Sequence, residues 1–123
     1  MIIGTVSPNR EPVVRLRVRG PSGDVVEVDA VVDTGYTGAL VLPHTVVAAL
    51  GLYWLSGGTA VLADGSSNQI DYYESELEWG QQLRPVIAMC IGSGALLGMQ
   101  LLDGHRLTVN GTPGGAVEIV PHP

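Results

Sequence analysis

The chain has only one cysteine and no lysine in its 123 residues. Because a disulfide needs two thiols, no bridge can form within one chain, and Cys90, in the apolar run 86–91, is expected to be a buried free thiol. All six basic side chains are arginine, and the formal net charge is -6. Nucleic-acid affinity rests largely on cationic neutralisation of phosphates, so we expect no nucleic-acid partner.

A long uninterrupted apolar run is also missing. Residues 85–102 carry no charge and reach the length of a membrane helix, but Pro85 opens the segment and the glycine-rich residues 92–94 interrupt it. The first ten residues have neither a basic start nor a sustained apolar stretch, which argues against a secretory signal. We therefore expect a cytoplasmic protein with no membrane partner.

The composition favours strands. Seventeen glycines and eight prolines, together with many valines, indicate short strands joined by tight turns. The prediction is a mainly β fold with one or two short helices. A chain of 123 residues fits a single domain, residues 1–123, and is small enough that dimerisation would help to bury apolar surface.

The first strong strand pattern is a hairpin. Residues 12–19 alternate between apolar side chains and arginines, and residues 25–32 return with Glu27 and Asp29 on their polar face. Pairing these segments would place the arginines opposite the acids. We interpret the arginine row as a charge-matched sheet face and not as a substrate site.

Further patterns follow along the chain. Residues 43–50 predict a short helix between Pro43 and Gly51, and residues 99–102 predict a second. Residues 59–63 and 70–79 predict a long hairpin with a polar tip, and residues 84–91 predict a single strand. Residues 106–109 and 116–120 predict a last hairpin. The polar tip of the long hairpin, residues 64–68, suits a mobile flap.

One acidic tripeptide is the main functional signal. Asp33, Thr34 and Gly35 follow the apolar alternation of residues 26–32 and precede a second apolar run, residues 39–43. Burying a carboxylate at a tight turn between two buried strands costs free energy, unless the carboxylate is paired with another group or takes part in catalysis. Gly35 allows a close turn, and the Thr34 hydroxyl can bond across a symmetry axis. The pattern predicts a catalytic acid.

Residues 30–43 resemble the active-site segment of retropepsin-like aspartic proteases, the single-lobed relatives of pepsin, in their bacterial type. Residues 95–102 resemble the apolar-apolar-Gly element and short helix that support the active-site loop in that family, and residues 63–66 stand at the flap position. The resemblance covers most of the chain. It implies a closed antiparallel barrel of the acid-protease type.

The resemblance also implies an aspartic endopeptidase without a cofactor. In that mechanism two carboxylates share one proton, so that one acts as base on a water while the other acts as acid toward the carbonyl oxygen. Because the chain carries one Asp-Thr-Gly, the second acid would come from a symmetry mate. A homodimer acting on peptide or protein substrates follows, with Asp33, Thr34 and Gly35 as catalytic residues.

Substrate contacts are expected from two segments. Tyr36 and Thr37 follow the tripeptide directly, and the flap position contributes Ala63, Asp64, Gly65 and Ser66. Two positions depart from the family pattern: Tyr36 replaces a small residue, and Gln100 replaces the more common Asp or Asn.

Other interpretations remain open at this point. Asp64 could be a second catalytic acid within one chain, although Asp-Gly is common in hairpin turns. The fold could also serve as a non-catalytic peptide-binding or assembly module, or as a plain barrel scaffold in which Asp33 is a turn residue. His105 and His122 have no cysteine or acid at recognised metal spacing, so we expect no metal site.

Overall fold

The computed structural model describes residues 1–92 and 94–122. Ser93, in the glycine-rich segment predicted to end a strand, lies outside the described residues. Within them the chain forms, in order, β1 (Ile2–Val6), β2 (Pro12–Arg19), β3 (Val25–Val32), β4 (Leu40–Val41), α1 (His44–Leu50), β5 (Tyr53–Val61), β6 (Ser67–Trp79), β7 (Gln82–Cys90), β8 (Leu96–Leu97), α2 (Met99–Leu102), β9 (His105–Val109) and β10 (Ala116–Pro121). The predicted mainly β fold with two short helices is confirmed.

The sheet closes on itself. Its strand order is β5-β6-β7-β4-β8-β3-β2-β1-β10-β9, and a further pairing joins β6 to β2. That pairing places Val18 opposite Leu77 and Arg19 opposite Glu76, which closes six strands, from β6 to β2, into a barrel. β5 continues the sheet beyond β6, and β1, β10 and β9 continue it beyond β2.

Most pairings are antiparallel, as expected, but two are not. β3 pairs with β8 in parallel, and so does β4 with β7. The barrel is therefore closed and mainly antiparallel, with two short parallel pairings. Parallel neighbours need a crossover, and here the chain leaves β3, forms the long hairpin and β7, and returns to the same edge as β8.

The charge-matched hairpin has the predicted register. Arg15 lies opposite Asp29, with Arg15 Nε donating to Asp29 Oδ1 at 2.9 Å. Arg17 lies opposite Glu27 and also pairs with Glu78 of β6. On the opposite face, the apolar residues of β2 are buried in the barrel core with their neighbours from β3, β7 and β8: Val14, Leu16, Val18, Val28, Ala30, Ala88 and Leu97. The alternation thus separates an ion-paired surface from the core.

The helix boundaries follow the predicted signals. Pro43 precedes α1, and Gly51 ends it in the left-handed region at φ 59°. Three strands escaped the sequence analysis: β1, β8 and the first half of β5. Nearly every side chain of β5 is exposed, so the segment has no alternation of buried and exposed positions to reveal it. No helix among residues 1–92 and 94–122 is long and apolar enough to cross a membrane.

Candidate active site

Asp33 stands where β3 ends and a connecting loop, residues 33–39, begins. The parallel ladder between β3 and β8 pairs Val32 with Leu97. One residue further on, the Asp33 N–H donates to the Leu97 carbonyl oxygen at 2.9 Å. The backbone of Asp33 is therefore held by the sheet, while its side chain belongs to the loop.

The Asp33 carboxylate organises a tight turn. Its Oδ1 accepts a hydrogen bond from the Gly35 N–H at 2.9 Å, and the Asp33 carbonyl accepts one from the Tyr36 N–H at 3.2 Å. Asp33 is half-buried, whereas Thr34 and Gly35 are exposed. Within the described part of the chain, every ion pair involves other acids, so Asp33 has no cationic partner. Backbone contacts thus position the Asp33 carboxylate, and no cation of the described residues neutralises it.

The segment from Gly98 to Gln100 supports this loop from one side. The Gly98 N–H donates to Ala39 O at 2.9 Å, the Met99 N–H to Tyr36 O at 2.8 Å, and the Gln100 N–H to Gly38 O at 3.1 Å. The apolar-apolar-Gly element predicted to buttress the loop therefore lies directly against it. Gln100 anchors the loop through its backbone, so this contact does not depend on the side chain.

Gly98 packs so closely that no other residue fits. A Cβ at this position would overlap the Gly38 carbonyl oxygen and the Tyr36 ring. The same ring also occupies the space that a Cβ at Gly38 would need. Tyr36 therefore folds back over the two glycines, and its larger side chain compensates for the space that they leave. Burial raises the pKa of the Tyr36 hydroxyl, with a further contribution from Tyr72. Thr37, the next predicted contact, is exposed.

The predicted flap residues occupy the tip of the β5–β6 hairpin. The Leu62 N–H donates to Ser66 O at 2.7 Å, and Gly65 turns the chain at φ 85°. Asp64 Oδ1 accepts from the Ser66 N–H at 2.9 Å and from its hydroxyl at 2.6 Å. These bonds lower the pKa of Asp64. All of these residues, and Ala63 between them, are exposed.

The structure keeps Asp64 and Asp33 in separate elements. In residues 1–92 and 94–122, no hydrogen bond or ion pair joins the hairpin tip to loop 33–39. Asp64 serves its own turn, which is the role expected of Asp-Gly in a hairpin. The structure thus provides the Asp33 loop and the hairpin tip as two distinct candidate components of a site.

The stem of the hairpin contains contacts that the sequence analysis missed. The Trp54 indole N–H donates to Asp71 Oδ1 at 3.0 Å, and Gln69 Nε2 donates to the same oxygen at 3.2 Å. Tyr73 packs against the core, whereas Tyr72 of the same strand is the residue that adds to the raised pKa of Tyr36. Trp54 lies on β5, whereas Gln69 and Asp71 lie on β6, so only the register between these two strands could have revealed their contacts.

Cys90 is a buried free thiol, as predicted. Its Sγ lies 3.3 Å from Nδ1 of His44, a residue exposed at the start of α1. Burial, and to a lesser extent Asp71, raises the pKa of the Cys90 thiol. A thiol held in its protonated form is a poor nucleophile, so this pair does not provide a competing catalytic centre.

In the part of the chain that the structure describes, no group of three or more His, Cys, Asp or Glu side chains could hold a metal ion. Comparison with known protein families and with curated proteins finds no match for this chain. The functional argument therefore depends on the geometry of the Asp33 loop and on the resemblance of the sequence motifs.

Proposed function

We propose that this protein is an aspartic endopeptidase of the retropepsin-like type, active as a homodimer. The observation that carries the proposal is the Asp33 loop: a carboxylate without a cationic partner, half-buried, on a turn whose backbone is fastened to β8 and to the Gly98 segment. A carboxylate that the backbone fixes in place, and that no cation neutralises, is a candidate for chemistry.

The need for a second copy follows from the chemistry. Metal-free hydrolysis of a peptide bond by carboxylates uses two of them, one as base and one as acid. Loop 33–39 supplies one, and Asp64 is engaged in its own turn. Thr34 and Gly35 are exposed next to Asp33, so a second copy could approach on a two-fold axis through this loop.

In the proposed mechanism, the two Asp33 side chains share one proton. The ionised carboxylate removes a proton from water as that water attacks the peptide carbonyl carbon, and the protonated one donates to the carbonyl oxygen, which gives a tetrahedral diol. The first carboxyl then passes its proton to the amide nitrogen as the C–N bond breaks, and the second takes a proton back from a diol hydroxyl, so that the products are a carboxylic acid and an amine. Thr34 braces the pair across the axis. Gly35, lacking a side chain, lets the substrate backbone come near, and Tyr36 and Thr37 border the cleft.

The hairpin tip has the role of a cover in this mechanism. Ala63, Asp64, Gly65 and Ser66 would close over the bound peptide and exclude water from the reacting carbonyl. The tip buries little apolar surface in the free protein, so opening it to admit a substrate should cost little.

The decisive experiment compares wild type with Asp33→Asn on a diverse peptide pool analysed by mass spectrometry across a range of pH. Asparagine can still accept the Gly35 N–H, so the variant should fold while cleavage is abolished. Asp24→Asn is the matched control, because Asp24 is an exposed acid in the turn after β2. The wild-type rate should fall on both sides of an optimum, since gain or loss of the shared proton removes one of the two roles.

Sedimentation analysis tests the dimer separately. A strict monomer at high concentration, or cleavage that persists in Asp33→Asn, contradicts the proposal. A monomer that binds peptides without cutting them would instead favour the non-catalytic binding module, because one chain carries a single carboxylate of the required kind.

A further inference from the structure

A groove opens where β6 changes its neighbour. On one edge, β6 pairs with β5 as far as Glu74, which lies opposite Tyr53, and with β2 from Glu76 onward, opposite Arg19. Ser75, between them, pairs only with Val86 on the other edge. The fork left between β5 and β2 holds a cavity of about 600 Å³, whose lining includes Gly20 and Pro21.

The walls of the groove are apolar and exposed. Tyr53 is 62% exposed on the β5 side, and Ile87 is 57% exposed on the β7 side. Leu55 and Pro85 extend these walls. Exposed apolar residues scattered singly are ordinary, but a group of them lining one concavity indicates a surface that is covered by a partner.

The charged groups of the groove form no ion pair within the described residues, in contrast to those of the neighbouring sheet face. Glu27, Asp29 and Glu78 are ion-paired with arginines, whereas Glu74 and Glu76 form no ion pair within the described residues. Arg19 Nε is buried and has no hydrogen-bond acceptor there either. A buried donor without an acceptor is costly, and a ligand that supplies one recovers that cost.

We propose that this groove binds an extended segment of another polypeptide that carries both apolar and basic side chains. A backbone carbonyl of the segment accepts the hydrogen bond from Arg19 Nε once the Arg19 side chain turns toward the groove, because that atom is buried in the free protein. Its apolar side chains pack between Tyr53 and Ile87, and its basic side chains lie over Glu74 and Glu76. A single occupant thereby matches the Arg19 donor, the apolar walls and the two glutamates.

The charge of the groove also argues against a second copy of this chain as the occupant. The chain has no lysine and a net charge of -6, so a second copy would bring more acidic than basic side chains to Glu74 and Glu76. The groove and loop 33–39 have no lining residue in common, so binding here is separate from the proposed catalysis.

The test measures binding of a fluorescent peptide of alternating leucine and arginine to the full chain. Asp33→Asn serves as the background so that the probe stays intact. Replacing both groove acids, as Glu74→Gln with Glu76→Gln, should weaken binding about tenfold at low salt and by less at high salt. Glu118→Gln, an exposed acid on β10, is the matched control and should leave affinity unchanged.

A second pair of variants tests the walls. Ile87→Ser should weaken binding to a similar extent, whereas Ile3→Ser, which replaces an exposed isoleucine on β1, should not. Amide chemical shifts should move at residues 74–76 and at Val86 and Ile87 when the peptide is added.

Three results would overturn the inference. One is equal binding of a peptide with glutamate in place of arginine. Another is a set of shifts confined to loop 33–39, which would place the peptide in the cleft. The third is a change in oligomeric state on replacing Ile87, which would make the groove an interface between copies. Failure of peptidase activity in the wild type would leave this binding test unaffected.

Discussion

Loop 33–39 and the tip of the β5–β6 hairpin are both turns that connect strands, yet their backbones are held very differently. The Asp33 loop is fastened from outside by N–H groups of the Gly98 segment, and Tyr36 packs over its glycines. The tip, residues 62–66, depends on hydrogen bonds within itself, such as those from Ser66 to Asp64.

This difference separates a fixed component from a movable one. A carboxylate that acts on a substrate must be held in one geometry, and tertiary hydrogen bonds provide that. A cover must open and close at low cost, and a turn held by local bonds provides that. The predictions below test this contrast, from the largest expected effect to the smallest.

Gly98→Ala should have the largest effect. The added Cβ would overlap the Gly38 carbonyl oxygen, which is backbone and cannot move aside cheaply. We expect a loss of about 3 kcal/mol in the free energy of unfolding, measured by urea denaturation. Gly94→Ala is the control, because a Cβ there meets nothing within 4 Å. Equal stabilities of the two variants would show that the loop tolerates displacement.

Amide hydrogen exchange should separate the two regions in the unmodified protein. The Asp33 and Gly98 amides donate to carbonyls of other segments, whereas the Gly65 and Ser66 amides bond only within the tip. We expect exchange at the tip to be faster by roughly thirtyfold or more, because local opening suffices there. Comparable protection at both places would mean that the hairpin tip is a fixed wall.

Gly65→Val should affect turnover more than stability. Gly65 has φ 85°, which a β-branched side chain adopts only with strain. The cost should be about 1 kcal/mol, because a Cβ there meets no neighbouring atom within 4 Å and the core is untouched. Thermal unfolding and peptide cleavage measured side by side test this. A loss of stability with unchanged cleavage would contradict the proposed role of the tip as a cover.

Acidification should loosen the hairpin tip, and this is the smallest effect. Hydrogen bonds from Ser66 lower the pKa of Asp64 below its ordinary value of 3.8. Its contribution to tip stability is therefore complete above that value and is lost as the pH falls through the lower folded-state pKa. Amide exchange at Ser66 should rise over that interval. Asp64→Asn should remove the pH dependence, and its persistence would assign the effect to another group.

Much of the fold could be predicted because its signals are local. The alternation of Val14, Leu16 and Val18 with arginines predicted both the core face of β2 and its ion-paired face, as the register of Arg15 with Asp29 confirms. Pro43 and Gly51 likewise predicted the limits of α1. In each case the physical cause lies within a few residues of the effect.

The first half of β5 could not be predicted in this way. Its side chains are exposed on both faces, and its strand conformation depends on hydrogen bonds to β6, about twenty residues away. The parallel pairing of β3 with β8 has the same origin, because the partner strand is contributed from the far side of the long hairpin.

By itself the sequence determined the position of one acidic tripeptide between two apolar strands, and the glycine and apolar residues that later support it. Tertiary structure alone decided that Gly98 packs against Gly38, that Tyr36 covers both, and that Arg19 Nε is left without an acceptor at the fork of β6. The composition and periodicity of the sequence indicate which side chains are buried. The contacts between distant segments depend on how the closed barrel brings its edges together, and no local pattern encodes that.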